Sequence, residues 1–185
     1  MRLVPIAFAL LGAALASAEA SAADAGEFDS KPNAIYLHFG VATPLGFVGL
    51  EAERALAPVF AVSVGAGYGL MGPQLAVMPR VTLGTGASAM ILGVGLSWGK
   101  YGSHTVCFDD DSCAQISGTP VWANTEIGGV YRWHDGMSFK YFGGFGRTVA
   151  GDLACAGDAY DQCVASHSNS GLDIIYTGFA FGQAF

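Results

Sequence analysis

Two long stretches without a formal charge, 55–79 and 81–99, constrain this chain most, because a period of two runs through both. Phe60, Val62, Val64 and Tyr68 alternate with Ala61, Ser63, Gly65 and Gly67, and Met90, Leu92, Val94, Leu96 and Trp98 alternate with Ile91, Gly93, Gly95, Ser97 and Gly99. Successive side chains of a strand point to opposite faces, so this spacing builds one bulky and one small face. A helix of the same length would scatter those residues around its circumference, and Pro58, Pro73, Pro79 and the glycines would break it repeatedly. Inner-membrane helices are the competing reading on length alone.

Composition shows what must surround the strands. Charged residues make up 12% of the chain while glycine fills 27 positions. An ordinary water-soluble surface needs about a quarter of its residues charged, so something other than water is expected to cover much of this one. Strands facing hydrocarbon must close on themselves, since lipid offers no partner to an unpaired backbone edge. The formal charge of −7 argues against a nucleic-acid partner, because phosphate binding needs clustered Lys and Arg.

At the start, Arg2 precedes a short apolar run to Leu15, followed by the small-residue sites Ala16-Ser17-Ala18, Ala18-Glu19-Ala20 and Ala23-Asp24-Ala25. Residues 1–25 read as a cleaved secretory signal peptide, because the run is shorter than the roughly 20 residues a spanning helix requires. Residues 26–185 then form one barrel domain. The period of two predicts eight strands at about 33–43, 47–54, 59–69, 74–84, 87–101, 120–133, 137–151 and 172–185, with a bulge or a missing ladder bond at Pro79. Their links alternate: 55–58, 84–86 and 134–136 are short and turn-like, whereas 102–119 and 152–171 are long, polar loops. The expected architecture is all-β, an eight-stranded antiparallel up-and-down transmembrane barrel with short periplasmic turns, longer external loops and both termini in the periplasm.

Several residue groups follow from that alternation. Phe60, Tyr131, Trp133, Phe139 and Phe185 are expected near the periplasmic boundary, with Tyr68 and Trp98 near the outer one, as aromatic girdles. The inward face would carry His38, Glu51, Glu53, Arg80, Asn124, Glu126, Arg132 and Lys140. Eight strands leave a lumen only just filled by side chains, so Glu51, Glu53, Glu126, Arg80, Arg132 and Lys140 are expected to pair as a closed plug. A narrow pore or proton path is the alternative. Cys107, Cys113, Cys155 and Cys163 lie in the two long loops, and in an oxidising compartment two local disulfides are the natural reading, although four thiols allow three connectivities.

The final strand, Thr177-Gly178-Phe179-Ala180-Phe181-Gly182-Gln183-Ala184-Phe185, resembles the C-terminal assembly signal of bacterial outer-membrane proteins, with Phe179, Phe181 and Phe185 in its pattern. With the leader and the loop pattern, the whole mature chain resembles the small eight-stranded OmpA-like and OmpX-like barrels. Gln183 departs from that pattern, which usually has an aromatic or aliphatic residue there. The resemblance implies residence in the bacterial outer membrane, contact with its lipid and lipopolysaccharide, and delivery by the barrel assembly machinery.

Enzyme-like features are few. Asp109-Asp110-Asp111 and Asp158/Asp161 are hard oxygen ligands, but no Ca²⁺-loop spacing accompanies them. Ser166-His167-Ser168-Asn169 resembles the His-x-Ser-Asn signature of outer-membrane lipid A deacylases, with a different spacing, and would give Ser168, His167 and Asp173 as its constellation. The chain has no CxxC, no HExxH and no nucleotide loop, so neither a metal nor another cofactor is expected. The expected role is structural or surface-interacting and non-enzymatic, with disulfide-pinned loops meeting an extracellular ligand; a lipid-modifying hydrolase is the alternative.

Overall fold

The computed structural model describes residues 31–69, 72–84, 87–107, 113–151, 153–157 and 173–185, so the expected leader lies outside the described residues. In chain order the strands are β1 (Asn33–Thr43), β2 (Gly46–Ala57), β3 (Phe60–Gly69), β4 (Gly72–Leu83), β5 (Ser88–Gly99), β6 (Tyr101–Cys107), β7 (Cys113–Gly118), β8 (Val121–Arg132), β9 (Met137–Ala150), β10 (Leu153–Gly157) and β11 (Asp173–Ala184). Eight of them close an antiparallel barrel in the order β1-β11-β9-β8-β5-β4-β3-β2, the up-and-down arrangement that the alternation predicts. Among the described residues no helix is long and apolar enough to cross a membrane, and the two uncharged stretches form β3, β4 and β5.

The seam between first and last strands is laddered without a register shift from Ala34 opposite Ala184 to Val41 opposite Thr177. Phe181 stands opposite Leu37 and Phe179 opposite Phe39, and Asn33 and Phe185 exchange backbone hydrogen bonds of 3.1 and 2.8 Å. Gln183 donates its amide to the Asp135 carbonyl at 2.9 Å, tying the last strand to the 133–136 turn. A phenylalanine or an aliphatic residue could not make that bond.

Two expectations are corrected, and a third is met. The loops 102–119 and 152–171 are not simply loops: β6, β7 and β10 form a separate three-stranded sheet in the order β10-β7-β6. Its strands are only five to seven residues long, and β6 and β7 mix polar residues with cysteine, so period-two hydrophobicity gives no sign of them. Next, β2 runs to Ala57 rather than ending at Arg54, which confines the expected 55–58 turn to Pro58 and Val59. Pro79, in contrast, behaves as expected, as the missing ladder bond rather than the bulge. It stays in register opposite Val62, and on the β5 side the paired residues skip from Val77 to Arg80 without a shift, as a residue lacking an N–H requires.

Loop length also differs from the simple alternation. The β1–β2 link at the long-connection end consists only of Pro44 and Leu45, and it folds inward. A register irregularity between Phe39 and Thr43, with Ala42 at φ 57°, turns the chain, and Thr43 Oγ1 donates to the Gly46 carbonyl at 2.6 Å. Leu45 is thereby 2% exposed inside the barrel. It rests where Gly65 has no side chain: a Cβ there would come within 2.7 Å of Leu45 Cδ1.

The same device fills the rest of the lumen. A Cβ on Gly144 would collide with the Tyr176 ring at 2.5 Å, and one on Gly178 with the Phe142 ring at 2.6 Å. Glycines therefore clear space for the large inward side chains of neighbouring strands. Such packing needs Gly for its missing Cβ rather than for its backbone freedom.

Candidate functional site

The barrel wall inverts the usual distribution of polarity. Leu37, Leu50, Val64, Leu75, Leu96, Ile127, Tyr141 and Phe181, one from each barrel strand, are all 42–60% exposed on the outer face. Inside, His38, Glu51, Arg80, Asn124, Glu126, Arg132 and Lys140 are all buried.

Arg80 is the centre of the interior. Its Nε donates to Glu126 Oε1 at 2.7 Å, its Nη1 to Glu51 Oε1 at 2.7 Å and Ser63 Oγ at 2.8 Å, and its Nη2 to Glu51 Oε2 at 2.9 Å. Glu53 Oε2 lies 3.3 Å from Nη1. Lys140 Nζ bridges the same acids, at 2.9 Å to Glu51 and 2.6 Å to Glu53, and sits 3.6 Å above the Tyr36 ring. The pairs come from four strands, β2, β4, β8 and β9, so they connect opposite walls of the barrel.

Of the expected ion-pair residues, Glu51, Glu53, Arg80, Glu126 and Lys140 come together in this cluster. Arg132 stands nearer the turn end, where Nε donates to Ser138 Oγ at 3.2 Å and Nη1 to the Lys31 carbonyl at 3.3 Å. His38 stacks on Phe142 with centroids 4.5 Å apart, and its Nε2 is 3.5 Å from Glu51 Oε2, too far for a good hydrogen bond. Cavities of about 10 and 20 Å³ remain around the cluster, each with room for about one water. Buried ions at this density hold together only because nearly every donor has an acceptor: all five Arg80 N–H groups can be satisfied at once.

Above the cluster, towards the long-connection end, Pro44 and Leu45 cross the lumen. Beyond them lies a vestibule of about 160 Å³, walled in part by Phe47, Trp122 and Tyr176. The alternation identifies Asn124 as inward-facing, but not this chamber. It exists because the β1–β2 link folds in, which depends on glycines of a different strand.

The expected girdle residues Tyr68, Trp98, Tyr131, Trp133 and Phe185 are exposed, and Phe60 and Phe139 half-exposed. Tyr131 meets Trp133 edge-on at 4.7 Å, and Phe139 packs on Phe181 at 4.9 Å. Tyr141 and Phe145, which lie on the same outer face, were not in the expected set.

Among the described residues no cysteine is free; Cys113 and Cys155 are disulfide-bonded, and the backbone of Cys107 lies directly opposite Cys113 in the β6–β7 ladder. Cys163 and the Cys107 side chain lie outside the described residues, as do Asp109, Asp110, Asp111, Asp158, Asp161, His167 and Ser168. Asp173, the third member of the hydrolase constellation, lies 3.7 Å from Arg147 Nε on the exposed surface. Comparison with protein-family models, with curated proteins and with solved structures returns no match.

Proposed function

We propose that this chain is an outer-membrane barrel with a closed lumen, acting as a lipid-embedded scaffold that holds the β6–β7–β10 sheet at the cell surface for a structural or recognition role. The observation that carries this reading is the inversion: an exposed apolar row on every strand surrounds a core of ion pairs. In water such an exterior would drive aggregation, whereas hydrocarbon is its matching solvent. The cluster supports the scaffold over the pore, because cavities of about 10 and 20 Å³ give hydrated ions no path. Disulfide-bonded Cys113 and Cys155 lie on the surface sheet, and restraining a recognition surface lowers the entropy lost when a partner binds.

Cell fractionation with gel electrophoresis of unheated and boiled samples tests the location. The protein is expected in the outer-membrane fraction, with a mobility that changes on boiling; recovery in the soluble fraction would overturn the reading. Planar-bilayer recording tests closure, with no steady single-channel conductance expected from the wild type.

A further inference from the structure

We propose that the vestibule is a binding site for a small uncharged molecule about one aromatic ring in size that carries a single hydrogen-bond donor. This goes beyond the scaffold reading and does not depend on what the surface sheet recognises.

Size is the first argument. The chamber holds about 160 Å³, and an apolar cavity of about 150 Å³ in another protein accepts benzene. Charge is the second. None of the vestibule's described lining residues carries a formal charge, although Arg80, Glu51 and Glu126 lie just beyond the Pro44–Leu45 layer. A charged ligand would lose water there and meet no counter-ion, which disfavours it strongly. The walls offer an indole, a phenol ring and a phenyl ring, from Trp122, Tyr176 and Phe47.

The polar group that selects the ligand is Asn124. Its Nδ2 donates to Ser97 Oγ at 2.8 Å and to the Trp122 carbonyl at 3.3 Å, so both amide protons are committed. Oδ1 is then the acceptor, and it lies 2.8 Å from where a Cβ on Gly146 would stand. Gly146 is extended strand and needs no unusual backbone angle. With only a hydrogen on Gly146, the amide keeps this position on the vestibule wall, where a Cβ would crowd its oxygen. An alcohol or phenol fits that arrangement, with its ring among the aromatic walls and its O–H donated to Oδ1.

The test uses the full barrel in lipid nanodiscs, with Trp98→Phe and Trp133→Phe so that Trp122 alone emits. Benzyl alcohol is titrated against benzoate and toluene, following Trp122 fluorescence. A saturable response to benzyl alcohol is expected, with benzoate at least about tenfold weaker. Asn124→Leu should remove the preference for benzyl alcohol over toluene, and Gly146→Leu should abolish saturation. Gly146→Ala, whose Cβ would crowd Asn124 Oδ1, should weaken binding and keeps the test valid should the larger side chain prevent folding. A linear response identical in wild type and the Gly146 variants, meaning partition into lipid alone, would overturn the proposal, as would benzoate binding as well as benzyl alcohol.

Discussion

An arginine removed from water needs acceptors for five N–H groups, and Arg80 finds them on Glu51, Glu53, Ser63 and Glu126. Replacing it with methionine keeps much of the volume but leaves three carboxylates facing Lys140 alone within the cluster. Breaking a buried ion pair from one side typically costs about 3–5 kcal/mol, and Arg80→Met is expected in that range by urea unfolding in detergent micelles. His38 gives the contrast. It is 2% exposed, but its ring nitrogens make no hydrogen bond and its contact with Phe142 is a stack. His38→Phe preserves that stack, so its cost should stay below about 1.5 kcal/mol. Equal losses from the two substitutions would show that the lumen depends on shape more than on ion pairing.

Among the elements, the inward β1–β2 link has the most influence for its length. Leu45 fills the space cleared by Gly65 and seals the cluster from the vestibule. Leu45→Ala should cost about 2–5 kcal/mol, the range for truncating a buried leucine, and should admit water to the cluster; unchanged hydrogen exchange at Ser63 and Met78 amides would contradict this. The link also shows where sequence reasoning stops. The barrel strands could be read because an apolar outer face and a packed interior impose a period of two on every strand of the wall. The lumen residues followed, since the acids and bases of the middle of the strands fall on the small-residue, inward phase, whereas Arg54, Arg147 and Asp173 near strand ends stay exposed. Pro44-Leu45-Gly46, by contrast, has the composition of any surface turn, and its inward course depends on a gap created by residues of β3. The β6–β7–β10 sheet escaped notice for a related reason: its strands, unlike those of the barrel, carry no continuous hydrophobic alternation. Gln183 could be seen as unusual, but its partner, a turn carbonyl 48 residues away, could not.

For the whole molecule, the two sheets separate into two units of different character. The eight-stranded sheet closes on itself, and the three-stranded sheet adds no strand to that ladder. Reducing the disulfides of Cys113 and Cys155 should therefore speed proteolysis within 101–118 and 153–157 while leaving the heat-modifiable mobility of the barrel unchanged. Loss of that mobility on reduction would mean that the surface sheet is required for closure. The Pro44–Leu45 layer has one further consequence. It divides the interior into two chambers, with ions on the turn-end side and, among the described residues, neutral groups lining the other. Glu53, whose side chain is 13% exposed against 3% for Glu51, is the more accessible of the two acids, and it lines the small turn-end cavity with Lys31 and Arg132. Fixed charge thus stands on one side of a thin apolar septum and none on the other among the described lining residues, which makes the interior electrically asymmetric along the barrel axis.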